Sequence, residues 1–415
     1  MSQSSATKHN DRVSQGDPRD SPRSTPAKSE KRRRILVICN DGDYFLRHRV
    51  FVVERLVAAG VEVTVIAGGK PIPVTSSQGW VYRHVHIERF GFAPLADLTL
   101  MIETTKAILE LKPDAVHLIT LKPAVFAGIV SSIFSVLFAY PKKILITLPG
   151  LGRMLASPKP LGQRTYPIAT AITLLKLRLL AKNRQVQFTF ETKHDFTFWQ
   201  DKGIAHASNA TIIEGAGVDC KAFYPAEPSS PRAKKRILFA GRLLNAKGLG
   251  AFLIAARQFA KRPNVEFLVA GISDDRDPDS IQASHLAELG EVRFLGFVEN
   301  MPQLLRECDV VCLPTRYGEG IPRILIEAAA SGLASIASNH PGCLEIVVDG
   351  VTGQILTGQS EGELVQELSA AIRRYLEVPG LLEQHKRAAH RYFLTRNFNQ
   401  DTVAAHFCRL LGVEG

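Results

Sequence analysis

The 415-residue chain has only six cysteines, Cys39, Cys220, Cys308, Cys312, Cys343 and Cys408, and no two of them form a CxxC pair. Cys308 and Cys312 flank a predicted strand, so they do not read as a zinc pair, and the usage is that of a reduced, cytosolic chain. Residues 1–34 are rich in Ser, Asp, Arg, Pro and Lys and contain no apolar core, which excludes a secretory signal there. No basic run is interleaved with stacking aromatics, which sets nucleic acid aside as a partner. No G-x-G-x-x-G follows an early apolar run. Cys39-Asn40-Asp41-Gly42-Asp43 and Ala240-Gly241-Arg242 stand in those places, which argues against a nicotinamide dehydrogenase.

The composition, 45% hydrophobic and 22% charged, is that of a soluble globular chain rather than one disordered throughout. At about 100–200 residues per domain the length suggests two domains. The formal charge is +11, and nine basic against four acidic residues in the first 34 leave +6 for the rest. A modest positive excess suits an anionic small substrate or an anionic membrane surface. Residues 1–33 read as a disordered basic tail. The cluster Lys31-Arg32-Arg33-Arg34 either solubilises it or touches anionic lipid.

Residues 34–39 and 236–240 are short apolar runs after basic clusters, each followed by a turn and a helical pattern. They read as buried parallel strands opening two similar α/β units about 200 residues apart. Further strands are expected at 61–66, 115–118, 143–147, 186–191, 210–213, 265–270, 292–295, 310–313 and 334–337. Helices are expected near 51–60, over 248–261 and after 383. Pro225, Pro228 and Pro231 place the join near 219–234. Wound sheets bind ligands beyond the carboxyl ends of their strands, so two of them point to a site in the cleft between domains. Residues 123–140 carry no charge and read as a buried or interface-dipping helix rather than a membrane span. Residues 167–182 carry Lys176, Arg178 and Lys182 with no acid, which suits either a plain surface helix or a membrane-surface helix.

Two segments carry chemistry. Tyr317-Gly318-Glu319-Gly320-Ile321-Pro322-Arg323-Ile324-Leu325-Ile326-Glu327 follows the 310–313 strand. Pro322 suits the first turn of a helix, which leaves the Gly320 and Ile321 amides at a helix N-terminus where phosphate oxygens are favoured. Glu319 then sits in the loop, and Glu327 lies inside the helix where it can accept bonds from a ribose diol. Gly241-Arg242-Leu243-Leu244-Asn245-Ala246-Lys247-Gly248 follows the 236–240 strand, and Arg242 with Lys247 can clamp a diphosphate. The alternatives are a plain helix start with two surface acids, and an exposed basic loop.

These two segments, with Gly217-Val218-Asp219 and Phe223, are similar to motifs of the family 4 glycosyltransferases, and the resemblance covers about residues 34–412. In the first half, Tyr44-Phe45-Leu46-Arg47-His48-Arg49, His117-Leu118-Ile119-Thr120-Leu121-Lys122-Pro123 and Leu148-Pro149-Gly150-Leu151-Gly152 resemble a subgroup that extends polyprenyl-diphosphate-linked sugars. Pro341-Gly342-Cys343 does so too, with Leu344 where that subgroup usually has Arg. The resemblance implies two facing Rossmann-like domains (the GT-B fold). Residues 34–218 would be the acceptor domain and 219–395 the nucleotide-sugar domain, with a helix in 396–415 packing back on the first.

The activity implied is retaining transfer of a hexose or N-acetylhexosamine from a UDP-sugar to a polyprenyl-diphosphate-linked acceptor, in the cytoplasm at the inner face of the membrane. Arg242 and Lys247 would meet the leaving diphosphate, with Gly42, Gly241, Gly320 and Ile321 around it. Glu319 would orient the donor sugar and Glu327 the ribose. Arg47, His48 and Lys122 would contact the acceptor. His117 would polarise an acceptor hydroxyl or serve as a strand-end histidine. With the diphosphate clamped by protein, no cofactor and no essential metal is expected, and Asp274-Asp275-Arg276-Asp277 reads as a solvated loop. A sugar-nucleotide epimerase or hydrolase on the same fold is the alternative, and a non-catalytic binding protein a further one.

Overall fold

The computed structural model describes residues 32–72, 78–88, 93–150, 167–227, 233–273, 277–316, 318 and 320–414. Residues Arg33–Gly415 group into one compact unit, to which every element below belongs. Short runs dominated by Val, Ile, Leu and Phe, buried on both faces, form its inner strands, as parallel sheets covered by helices on each side require. Seven strands lie in the first sheet: β1 (Arg34–Cys39), β2 (Glu62–Ala67), β3 (Val81–His84), β4 (Ala115–Ile119), β5 (Lys143–Leu148), β6 (Val186–Phe190) and β7 (Ala210–Ile212). Six lie in the second: β8 (Lys235–Ala240), β9 (Val265–Ala270), β10 (Arg293–Gly296), β11 (Val310–Leu313), β12 (Ala334–Ser338) and β13 (Gly353–Leu356).

The strand orders are β3-β2-β1-β4-β5-β6-β7 and β10-β9-β8-β11-β12-β13, parallel throughout. Each half therefore winds outward in both directions from its first strand. The order reverses between β1 and β4 in one sheet and between β8 and β11 in the other, and such switch points are where wound sheets open a crevice. The α/β class and the two wound halves are as the sequence implies.

Three departures are local. The edge strands β3 and β13 have no counterpart in the sequence pattern. Val-Tyr-Arg-His and Gly-Gln-Ile-Leu lack the continuous apolar run of a doubly covered strand. The helix expected near 51–60 stands at Val50–Ala58, and an unexpected helix, Gly42–His48, precedes it with a break at Arg49. The helix expected over 248–261 spans Leu249–Arg257.

The chain returns to the first half at its C-terminal end. Val218 N–H donates to Phe398 O and Gln400 N–H to Val218 O. The Gln400–Leu410 helix then packs on Val50–Ala58, burying Val403, Phe407 and Cys408 beside Ile35 and Val37. Arg396 ties the return in place, bonding Glu214 of the first half (Nη2–Oε1, 2.8 Å) and Glu345 of the second (Nη2–Oε2, 3.0 Å).

Candidate active site

The turn after β8 is built by its glycines and by a neighbouring strip. Gly248 has φ +82°, and a Cβ there would overlap Pro314 O, so only glycine lets the turn lie on the segment after β11. Arg316 N–H donates to Ala246 O, which joins the two segments directly. Asp279 fixes the turn's floor by accepting from Ala246 N–H. A Cβ at Gly241 would meet nothing within 4 Å, so the backbone there borders open space. Arg242 and Lys247 follow at the carboxyl end of the second sheet. Arg242 Nη1 lies 3.8 Å from the buried Asp277 carboxylate.

The segment after β11 leads into the Arg323–Ala330 helix. Pro322 is its N-cap residue rather than part of its first turn, and its carbonyl accepts from Leu325 N–H. Gly320 and Ile321 precede this helix as expected, with the Ile321 side chain in the core. Glu327 is buried, and Arg323 Nε donates to its Oε1 at 2.7 Å. Burial raises the Glu327 pKa, and the Arg323 charge and hydrogen bond oppose that rise. Glu319, like Tyr317, lies outside the described residues, as do Asp274, Asp275, Arg276, Leu151 and Gly152.

Charges from both halves act on His48. Its pKa is held well below the ordinary histidine value, first by burial and then by Arg323, Arg49, Arg47 and Lys247. Two of those cations come from each half, so the imidazole is neutral at pH 7 inside a field suited to an anion. The Arg47 guanidinium lies 6.0 Å from the Phe297 ring centroid, a second approach between the halves.

Three other expected residues are otherwise engaged. The Gly42 N–H donates to Gly68 O at 2.8 Å, which engages that donor within the first half. A Cβ there would press on Ile72, so close packing also favours glycine. Lys122 Nζ bonds Asp97 Oδ1 at 3.0 Å with both side chains largely covered, which spends its charge inside the first half rather than on an acceptor. His117 is 1% exposed, with Nε2 2.8 Å from Thr147 Oγ1 and its ring 5.3 Å from that of Phe407. Burial, with a smaller contribution from Arg49, lowers its pKa to about 3. It is a neutral core histidine, and this placement opposes a role in polarising an acceptor hydroxyl.

Residues 234–377, which hold both loops and Glu327, match the family described as Glycosyl transferases group 1. The chain carries a glycosyl transferases group 1 domain. It is 31% identical over 200 residues to the phosphatidyl-myo-inositol mannosyltransferase of Mycolicibacterium smegmatis, covering 47% of this chain and 50% of that protein. It is 26% identical over 228 residues to the N,N'-diacetylbacillosaminyl-diphospho-undecaprenol alpha-1,3-N-acetylgalactosaminyltransferase of Campylobacter jejuni, covering 52% and 56%. The chain thus spans about half the length of the curated relatives it matches. The fold as a whole is that of the GT-B glycosyltransferases. Anabaena HepE, solved in complex with UDP and glucose, superposes with a TM-score of 0.66 over 91% of this chain and 99% of that one, at 18% identity.

Four residues around the group 1 domain's loops were not picked out from the sequence. Arg323 carries a readable signal, the i, i+4 spacing to Glu327. Arg49 and Glu191 carry none. They stand 142 residues apart and meet only because β1 and β6 belong to one sheet, Arg49 Nη2 donating to Glu191 Oε1 at 2.8 Å. Asp195, at the start of the Lys193–Asp201 helix, is buried with its Oδ2 lacking a hydrogen-bond partner among the described residues. Burial pushes its pKa up to about 7. The Thr192 hydrogen bond opposes the rise, and the Glu191 and Glu345 charges add to it.

Proposed function

We propose that this chain is a retaining glycosyltransferase that moves a hexose or N-acetylhexosamine from a UDP-sugar to a polyprenyl-diphosphate-linked sugar, in assembly of a surface glycan. The observation that carries the reading is the joining of the turn after β8, which holds Arg242 and Lys247, to the segment after β11 that leads to Arg323 and Glu327, through Arg316 N–H donating to Ala246 O. A diphosphate leaving group gathers negative charge as the glycosidic bond breaks, and preorganised cations facing it stabilise that charge without a metal. Arg242 and Lys247 take the diphosphate in the cleft between the halves, beside the Gly320 and Ile321 amides. Glu327, oriented by Arg323, accepts from the ribose, and Glu319 orients the hexose. HepE's complex with UDP and glucose supports the donor class, and the Campylobacter relative's name supports a lipid-linked acceptor.

The acceptor is confined to a bilayer, so the enzyme works at its surface. The helices Pro94–Leu111, Leu121–Phe138 and Pro167–Ala181 pack side by side and leave large apolar side chains in solvent, among them Leu95 (83% exposed), Val136 (71%) and Ile168 (76%). The Leu121–Phe138 helix is long and apolar enough to cross a membrane, yet 44% of it is buried within the fold. That favours lying on the bilayer over spanning it. Lys176 and Arg178 stand on the Pro167–Ala181 helix, which carries no acid, and complement anionic headgroups. The place of action is the inner face of the cell membrane.

Calorimetric titration of the purified chain with UDP, GDP and ADP tests the donor reading. Binding of UDP in preference to the other two is expected, and no UDP binding contradicts it. The rival hydrolase would release free sugar from the donor as fast without acceptor as with it.

A further inference from the structure

We infer that Glu191 is a positioning residue that holds the Gly320 turn of the group 1 domain against the first half, with Arg49 fixing Glu191 for that task. The inference rests on reading the segment before Arg323 as the donor loop. Glu191 directly follows β6, at the carboxyl end of the first sheet, and is buried. One of its oxygens, Oε1, accepts from Arg49. The other lies against Gly320. A Cβ at that glycine would overlap Oε2 and stand 3.1 Å from the carboxylate carbon and 3.4 Å from the Glu191 Cβ. This close approach accounts for the missing side chain.

Arg49 is held from three sides. Its Nη1 donates to His48 O at 2.8 Å, its Nη2 to Glu191, and its guanidinium carbon lies 5.4 Å from the Phe407 ring centroid. The break between the two helices at 42–58 places it there. Arg49 thus connects the His48 backbone to the carboxylate that backs the Gly320 turn. The turn leads through Pro322 into the helix that carries Arg323 and Glu327. A shift at Gly320 moves the donor-facing amides relative to the first half while leaving the turn after β8 in place.

The test is a double-mutant cycle of Gly320→Ala, Glu191→Ala and the double variant, read by amide hydrogen exchange and by turnover. Each single variant is expected to speed exchange over 320–325 by roughly 5-fold, with 241–248 unchanged. Turnover is expected to fall by about 10-fold in each, while UDP affinity stays within about 3-fold. The double variant is expected to lose no more than Glu191→Ala alone, because the two groups act through one contact. Unchanged exchange and turnover in Gly320→Ala, or losses that multiply in the double variant, overturn the inference. If Glu191→Ala does not fold, Gly320→Ala alone decides it. A wild-type chain that fails to bind UDP overturns the donor reading instead, and the exchange cycle still decides whether Glu191 holds the turn.

Discussion

Arg323 grips the carboxylate of Glu327 one turn further along its own helix, Nε to Oε1 at 2.7 Å, and the same guanidinium depresses the pKa of His48 in the other half. The proposed ribose contact and the proposed acceptor side therefore share one cation. Arg323→Ala is expected to raise the His48 pKa toward its ordinary value, which an NMR titration of the imidazole reads directly.

Glu327→Ala removes the group proposed to accept from the ribose hydroxyls. A hydrogen bond to a charged group contributes about 1.5–3 kcal/mol, so UDP binding is expected to weaken by roughly 10–100-fold. Glu319→Ala is expected to slow turnover while leaving UDP affinity nearly intact, because its proposed partner is the hexose. Calorimetry with UDP separates the two, and equal losses of affinity would show the assignment wrong.

Arg242 and Lys247 are proposed to stabilise the leaving diphosphate. Replacing either by Ala is expected to cost roughly 10²–10³ in transfer rate, the range for loss of one preorganised donor. Steady-state assays of the two variants check this, and they are expected to give the same relative losses with excess chelator present. Complete loss of wild-type activity in chelator, restored by metal, would count against a clamp made of protein alone.

Asp195 gives a pH signature. Its pKa is pushed up to about 7 in the folded chain against 3.8 for an ordinary Asp, chiefly by burial. Between those values the unfolded chain has released the proton and the folded chain still holds it. The stability this group contributes is full below 3.8 and is lost as pH rises toward 7. The melting temperature of Asp195→Asn relative to wild type is expected to climb from pH 4 to pH 7 and then level off. A difference that is constant with pH would contradict the raised value.

Membrane attachment is expected to have two parts. High salt is expected to release a fraction, since headgroup attraction is screened, and detergent the remainder, since apolar contact is not. Replacing Lys176, Arg178 and Lys182 by Gln is expected to raise the soluble fraction and to impair lipid acceptors more than soluble analogues. Sedimentation of membranes at two salt concentrations reads the first effect. Full solubility at low salt with unimpaired use of lipid acceptors would refute surface docking.

What was legible in the sequence follows from locality. The 310–313 strand is a continuous apolar run and 265–270 is one but for Glu266, because both faces of a parallel sheet are covered, and both stand where the pattern puts them. The turn at 241–248 and the Arg323–Ala330 helix each lie in one stretch of chain, so their glycines and charges were visible together. The edge strands β3 and β13 were hidden by their mixed polarity. Asp97, Thr147 and Gly68 engage Lys122, His117 and Gly42 from elsewhere in the chain, so no local stretch of sequence shows those partners. Arg49 and Glu191 could be paired only once β1 and β6 were known to share a sheet.

The mass of a synthetic polyprenyl-diphosphate sugar after incubation with the purified chain and a panel of UDP-sugars tests the central claim most directly. The account predicts that the acceptor gains the mass of one hexose or N-acetylhexosamine from one donor of the panel, with UDP released in equal amount. Consumption of the donor with the acceptor's mass unchanged would contradict it.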